Sequence, residues 1–268
     1  MTVVLMLLGM MTAAAQAQAA PQRLTGSATI CSNSPIPTGW VVTSSYSSSG
    51  CPGTGVAYTI ADVTNQTHAT VCSMSPIPAG WVITSSYSSG GCAGTGVAYT
   101  LANTANQTHA TVCSMSPIPA GWVITSSYSS GGCAGTGVAY TLANTANQTR
   151  ATVCSMSPIP AGWVITSSYS SGGCAGTGVA YTLANTANQT YATVCSMSPI
   201  PAGWVVTSSY SSGGCAGTGV AYTLAKITTQ TYATVCSFSP IPAGWVVTGS
   251  QSTGSCAGSG VAYNIRKA

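Results

Sequence analysis

Apolar and polar side chains alternate along Trp122-Val123-Ile124-Thr125-Ser126-Ser127-Tyr128, which places Trp122, Ile124 and Tyr128 on one face of a strand and Val123, Thr125 and Ser127 on the other. Val138, Tyr140 and Leu142 repeat the alternation further along, and Ala151-Thr152-Val153 forms a third short run. The β-branched and aromatic content of these runs suits a pleated sheet. Pro117 and Pro119 keep the segment from Ser116 to Ala120 out of helix and out of a central strand. Gly131-Gly132, Gly135 and Gly137 supply turns. Three short strands per unit and no helix are expected.

This pattern is written six times with a spacing of 41 residues, as the separation of Cys31 from Cys72 shows. The units opening at Cys72 and Cys113 differ over their length only at His109 and Arg150, which points to recent duplication and to copy number as the property that matters. The segmentation is a signal peptide over 1–19, a leader over 20–27 and a first repeat over 28–61. Five repeats follow, each with its preceding linker, over 62–102, 103–143, 144–184, 185–225 and 226–268. The signal peptide is read from the apolar stretch Val3 to Met11 and the A-x-A patterns Ala15-Gln16-Ala17 and Ala17-Gln18-Ala19, although a cationic start is missing. After its removal no apolar run is long enough to span a bilayer as a helix. Polar spacers between units lead to an expectation of six small beads in a row. The alternative is a continuous β-solenoid, with cysteines stacked on successive turns.

The cysteines fall on two rows. Cys31, Cys72, Cys113, Cys154, Cys195 and Cys236 form one, and Cys51, Cys92, Cys133, Cys174, Cys215 and Cys256 the other. An even count in an exported chain reads as disulfides. Pairing within each repeat, Cys113 to Cys133 for example, uses all of them, whereas pairing across the linker strands Cys31 and Cys256. Each closed loop should stabilise its unit by about 3 kcal/mol on the chain-entropy model. A unit of this size has little core of its own, so the crosslink matters. Zinc is disfavoured, since there is no C-x-x-C pair and only two His residues; no metal or cofactor is expected.

Charge narrows the field of functions. Charged residues make up 2% of the chain and Asp62 is the single acid, beside Arg23, Arg150, Lys226, Arg266 and Lys267. Five dispersed cations form no patch able to neutralise several phosphates, so nucleic acid is not an expected partner. Weak charge also gives weak protection against self-association. General acid–base catalysis needs titratable groups within reach of a substrate and of each other. His68 and His109 share a repeat position that Arg150, Tyr191 and Tyr232 occupy elsewhere, which marks an exposed strand position rather than a catalytic one. Gly135-Thr136-Gly137 lacks the third glycine, the lysine and the helix of a phosphate loop. The expectation is a protein that is not an enzyme.

Two recurring features bear on binding. Trp40, Trp81, Trp122, Trp163, Trp204 and Trp245 are read first as core, with the ring against the disulfide, and second as a row of aromatic platforms for sugar rings acting through avidity. WVITSSY is uncharged, β-prone and free of proline, the composition of a strand that adds to another chain. The N-x-T triplets at Asn65, Asn106, Asn147 and Asn188 read as spacer chemistry and, in a suitable host, as glycan acceptors. The sequence thus leads to a secreted or cell-surface structural or adhesive protein of an extracellular matrix, capable of self-assembly. A multivalent binder of extracellular polysaccharide is the alternative.

Overall fold

The computed structural model describes residues 26–268; the expected signal peptide and all but the end of the leader lie outside the described residues. The described chain is all-β and contains six antiparallel sheets of three strands, one per repeat. Unit 3 stands for the others. Its opening strand is His109–Cys113, its second strand Trp122–Ser129 and its closing strand Val138–Asn144. The closing strand lies in the middle, with Cys113 opposite Ala139 on one side and Ile124 opposite Leu142 on the other. One disulfide closes each unit, from Cys31–Cys51 in unit 1 to Cys236–Cys256 in unit 6, always across a sequence separation of 20. Pairing is therefore within the repeat, as the spacing argument requires.

The local turns follow from the glycines and prolines. Trp122 N–H donates to the Pro119 carbonyl at 3.0 Å, so the Pro-Ile-Pro-Ala-Gly segment folds back just before the second strand. Gly121 takes φ 79°, a left-handed conformation that a Cβ would strain, and its carbonyl accepts from both Thr145 N–H and Thr145 Oγ1. That pair of bonds ties the linker to the strand. The linker is itself a built turn: Asn144 Oδ1 accepts from Ala146 N–H, and Gln148 Nε2 donates to the Asn144 carbonyl. The polar spacer is therefore packed structure, not slack.

The alternation expected of the second strand holds for its first half only. Between Ile124 and Ser126 the register slips by one, leaving Thr125 as the extra residue of a β-bulge. Thr125 Oγ1 donates to the Thr141 carbonyl and Ser126 Oγ to Thr141 Oγ1, so the bulge's hydroxyls are satisfied locally. Parity then inverts. Ser127, expected on the face opposite Trp122, is buried at 3% exposure, and Tyr128, expected beside Trp122 and Ile124, is 41% exposed.

Each sheet and each disulfide lies within one unit, yet the units are bridged by hydrogen bonds and their cores are shared. The cluster around Trp122, Ile124, Leu142 and Val112 of unit 3 also takes in Val82 and Ala102 of unit 2 and Cys154, Cys174 and Ala180 of unit 4. The same three-unit composition recurs around Trp81, Trp163 and Trp204. The disulfides of units 2 to 6 therefore sit on the core of the unit before, and the tryptophan of units 1 to 5 packs with the next unit's disulfide rather than its own. Both faces of an inner sheet are covered, which is why Trp122, Val123 and Ile124 are buried in succession.

Candidate functional site

The junction between consecutive units is the most elaborated feature of the molecule, and it is built from the second strand outward. That strand's free edge receives the following unit's cysteine turn. Ser127 N–H donates to the Gly173 carbonyl at 2.9 Å, Ala175 N–H returns a bond to the Ser127 carbonyl, and Ser127 Oγ donates to the Ala175 carbonyl. Three residues earlier, Ile124 N–H donates to Ser157 Oγ at 2.9 Å, and that hydroxyl donates in turn to the Pro158 carbonyl. The Ser of the Ser-Pro-Ile-Pro motif in units 2 to 6 is thus a buried bolt between units. Among the described residues no buried side-chain nitrogen or oxygen lacks a partner.

Beside each bolt lies a shallow cleft. Between units 3 and 4 it measures about 780 Å³ and is walled by Pro119, Trp122, Pro160 and Trp163, with Asn144 of one unit and Asn185 of the next on its rim. Equivalent clefts of about 560, 490 and 630 Å³ lie between units 1 and 2, 2 and 3, and 4 and 5. Only the edges of the tryptophans reach these clefts. Trp40, Trp81, Trp122, Trp163 and Trp204 are 3–5% exposed, so no ring face is open to a sugar at those five; the platform expectation fails there because the next unit's disulfide covers the ring. Trp245 of unit 6 is only half-buried.

The aromatic side chains that recur at a solvent-exposed position from unit to unit are tyrosines. Tyr46, Tyr87, Tyr128, Tyr169 and Tyr210 recur at one position of units 1 to 5, each about two-fifths exposed, and Gln251 replaces them in unit 6. The bulge at Thr125 and its equivalents produces this row. Sequence periodicity missed it, since a run of Thr and Ser carries no mark of where parity inverts. The rings of Tyr222 and Phe238 pair across a junction, with centroids 5.2 Å apart.

His68, His109, Arg150, Tyr191 and Tyr232 all stand exposed at the first position of an opening strand, as read from their interchange. Tyr191 and Tyr232 line an open hollow with Thr207 and Gln230. Asp62 Oδ1 accepts from Thr64 N–H and Thr64 Oγ1 at the end of the first closing strand. Among the described residues no cluster of three His, Cys, Asp or Glu side chains could hold a metal ion, and no helix is long and apolar enough to cross a membrane. Six disulfides and no free cysteine in the described residues suit an oxidising, extracellular environment.

The chain matches no protein-family model. No curated protein and no solved structure matches it either.

Proposed function

We propose that this is a non-enzymatic secreted or cell-surface protein with a structural or adhesive role in an extracellular matrix, associating with copies of itself. The observation that carries the reading is the interlocked junction. Every inner unit inserts its disulfide into the unit before it and presents nearly the same outer residues, so the stack multiplies a surface instead of building one site. With charge at 2%, that surface meets other surfaces through Tyr, Ser and Thr rather than through ion pairs. Weak contacts of this kind gain strength by number.

The test is a deletion series in whole periods, for example residues 103–143 and then 103–184, which keeps every remaining junction intact. Retention on extracellular matrix or cell-wall material should fall steeply with each unit removed. Retention independent of unit number would refute the reading.

A second reading, multivalent polysaccharide binding, is favoured by the half-exposed tyrosine row. It moves the platforms from Trp to Tyr. Affinity electrophoresis in gels containing soluble polysaccharide should then show retardation that Tyr87→Ser, Tyr128→Ser and Tyr169→Ser together remove.

A further inference from the structure

The two ends of the stack are complementary halves of the junction that the interior repeats. In unit 6 the second strand, Trp245–Ser252, is exposed along nearly its whole length, with Val246 and Val247 each 48% exposed. The equivalent strands of units 1 to 5 are buried from Trp to the third residue. The core of unit 6 holds Val235, Ile265 and Trp245 with Val205 and Ile227 of unit 5, and it lacks the two cysteines and the alanine that a following unit supplies elsewhere. Among the described residues nothing covers this face. Unit 1 carries the missing set: Cys31, Cys51 and Ala57 belong to no core cluster, and Cys31 is only half-buried where Cys72 is wholly buried.

The rest of the junction can be transposed position by position. Ser34 stands where Ser157 accepts from Ile124 N–H, so it would accept from Val247 N–H. Gly50 stands where Gly173 accepts from Ser127 N–H, so it would accept from Ser250 N–H. Three departures weaken the match. Pro52 replaces the alanine whose N–H donates to the serine carbonyl, Arg266 replaces the buried alanine represented by Ala143, and Asn33 stands where Met156 packs on the core of the unit before it. An end-to-end junction is therefore looser than an internal one, and reversible.

Charge supplies an independent argument. Asn144 and Asn185, which hold the same closing-strand position, both line the cleft at the junction of units 3 and 4, and Asn185 and Lys226 both line the next one. At the two ends of the chain this position holds Asp62, the single acid, and Lys267. Joining unit 6 of one copy to unit 1 of another brings the pair of opposite charges into one cleft, with Arg266 beside it.

We propose that the exposed face of unit 6 docks unit 1 of a second copy, head to tail, and that Asp62 and Lys267 set the polarity of the contact. Such an interface is heterologous, so copies add head to tail in single file. The proposal rests on the self-association part of the reading above and names its contact.

Sedimentation velocity of the oxidised protein from ~1 µM to ~500 µM, at low and at high salt, tests it, with electron microscopy of the largest species. Single-file growth with concentration is expected, weaker at high salt. Lys267→Asp and Asp62→Lys should each shift association to about three- to tenfold higher concentration, as reversal of a partly exposed pair implies. The double variant should restore it. Val247→Asp, on an already exposed strand, should abolish growth while leaving the circular dichroism spectrum unchanged. A monomer at every concentration overturns the proposal, and so does growth that ignores Val247→Asp and both charge variants. Retention of the deletion series on matrix material is read separately, so a monomer that still binds in proportion to unit number sinks this contact and leaves the adhesive reading standing.

Discussion

Removing one disulfide should cost more inside the stack than at its start. Cys154–Cys174 and Cys31–Cys51 each span 20 residues of sequence, so the loss of loop closure costs the same in both, about 3 kcal/mol. Their surroundings differ. Cys154 and Cys174 are 0% and 2% exposed and pack against Trp122 and Leu142 of the preceding unit, whereas Cys31 is half-buried with no unit before it. Two sulfurs, each about the size of a methylene, leave a core void in the first case, whereas in the second only Cys51, at 6% exposure, leaves one, so lost packing adds about 2 kcal/mol inside the stack and about 1 kcal/mol at its start. Cys154→Ala with Cys174→Ala should therefore destabilise by about 5 kcal/mol, and Cys31→Ala with Cys51→Ala by about 4 kcal/mol. Urea unfolding followed by circular dichroism gives the totals. Amide exchange read by mass spectrometry gives the location, and the inner variant should lose protection in unit 3 as well as unit 4. Equal costs, with loss of protection confined to unit 4, would show that the units are independent and that the shared-core account is wrong.

The junction bolt gives a second contrast: Ser157→Ala leaves the buried Ile124 N–H without its acceptor and should cost about 1–3 kcal/mol in urea unfolding, while Ser34→Ala should be neutral in dilute monomer. Gly121→Ala should cost about 1–2 kcal/mol by the same assay from backbone strain alone, because a Cβ there would meet nothing within 4 Å. Replacing Tyr87, Tyr128 and Tyr169 together by Ser should change stability by under ~1.5 kcal/mol, since exposed substitutions are nearly neutral, and an unfolding midpoint far below the parent would show the row to be structural.

Much of this architecture could be read from residues. The paired cysteine rows favoured a bond within each repeat, the Pro-Ile-Pro segment argued against helix, and interchange of His, Arg and Tyr at one position marked it as exposed. The consecutive apolar residues Trp122, Val123 and Ile124 also carried a sign that both faces are covered, since an isolated bead with one wet face would alternate. What stayed hidden depends on register. The bulge at Thr125 inverts which of Ser127 and Tyr128 is buried, and three neighbouring hydroxyl residues fit either phase equally well. Five of the six tryptophans are core, as read, but their partner is the next unit's disulfide, a contact between residues of different repeats that a repeating sequence cannot assign. For the same reason the departures at Pro52, Arg266 and Lys267 acquire meaning only once the junction's register is known.

The placement of the disulfides also sets how the molecule would yield under tension. A force applied to the two termini runs through every unit in series, and in each the crosslink shorts out the chain between its cysteines, Cys113 to Cys133 in unit 3, across a Cα–Cα gap of 5.3 Å. An unravelled unit then lengthens to roughly 75 Å where its full contour would reach roughly 145 Å. Pulled in a force spectrometer, the oxidised protein should give short, even steps that about double in length once reductant is added. Half of every unit is held back from extension, so the stack can lose its packing one unit at a time and remain a short tether.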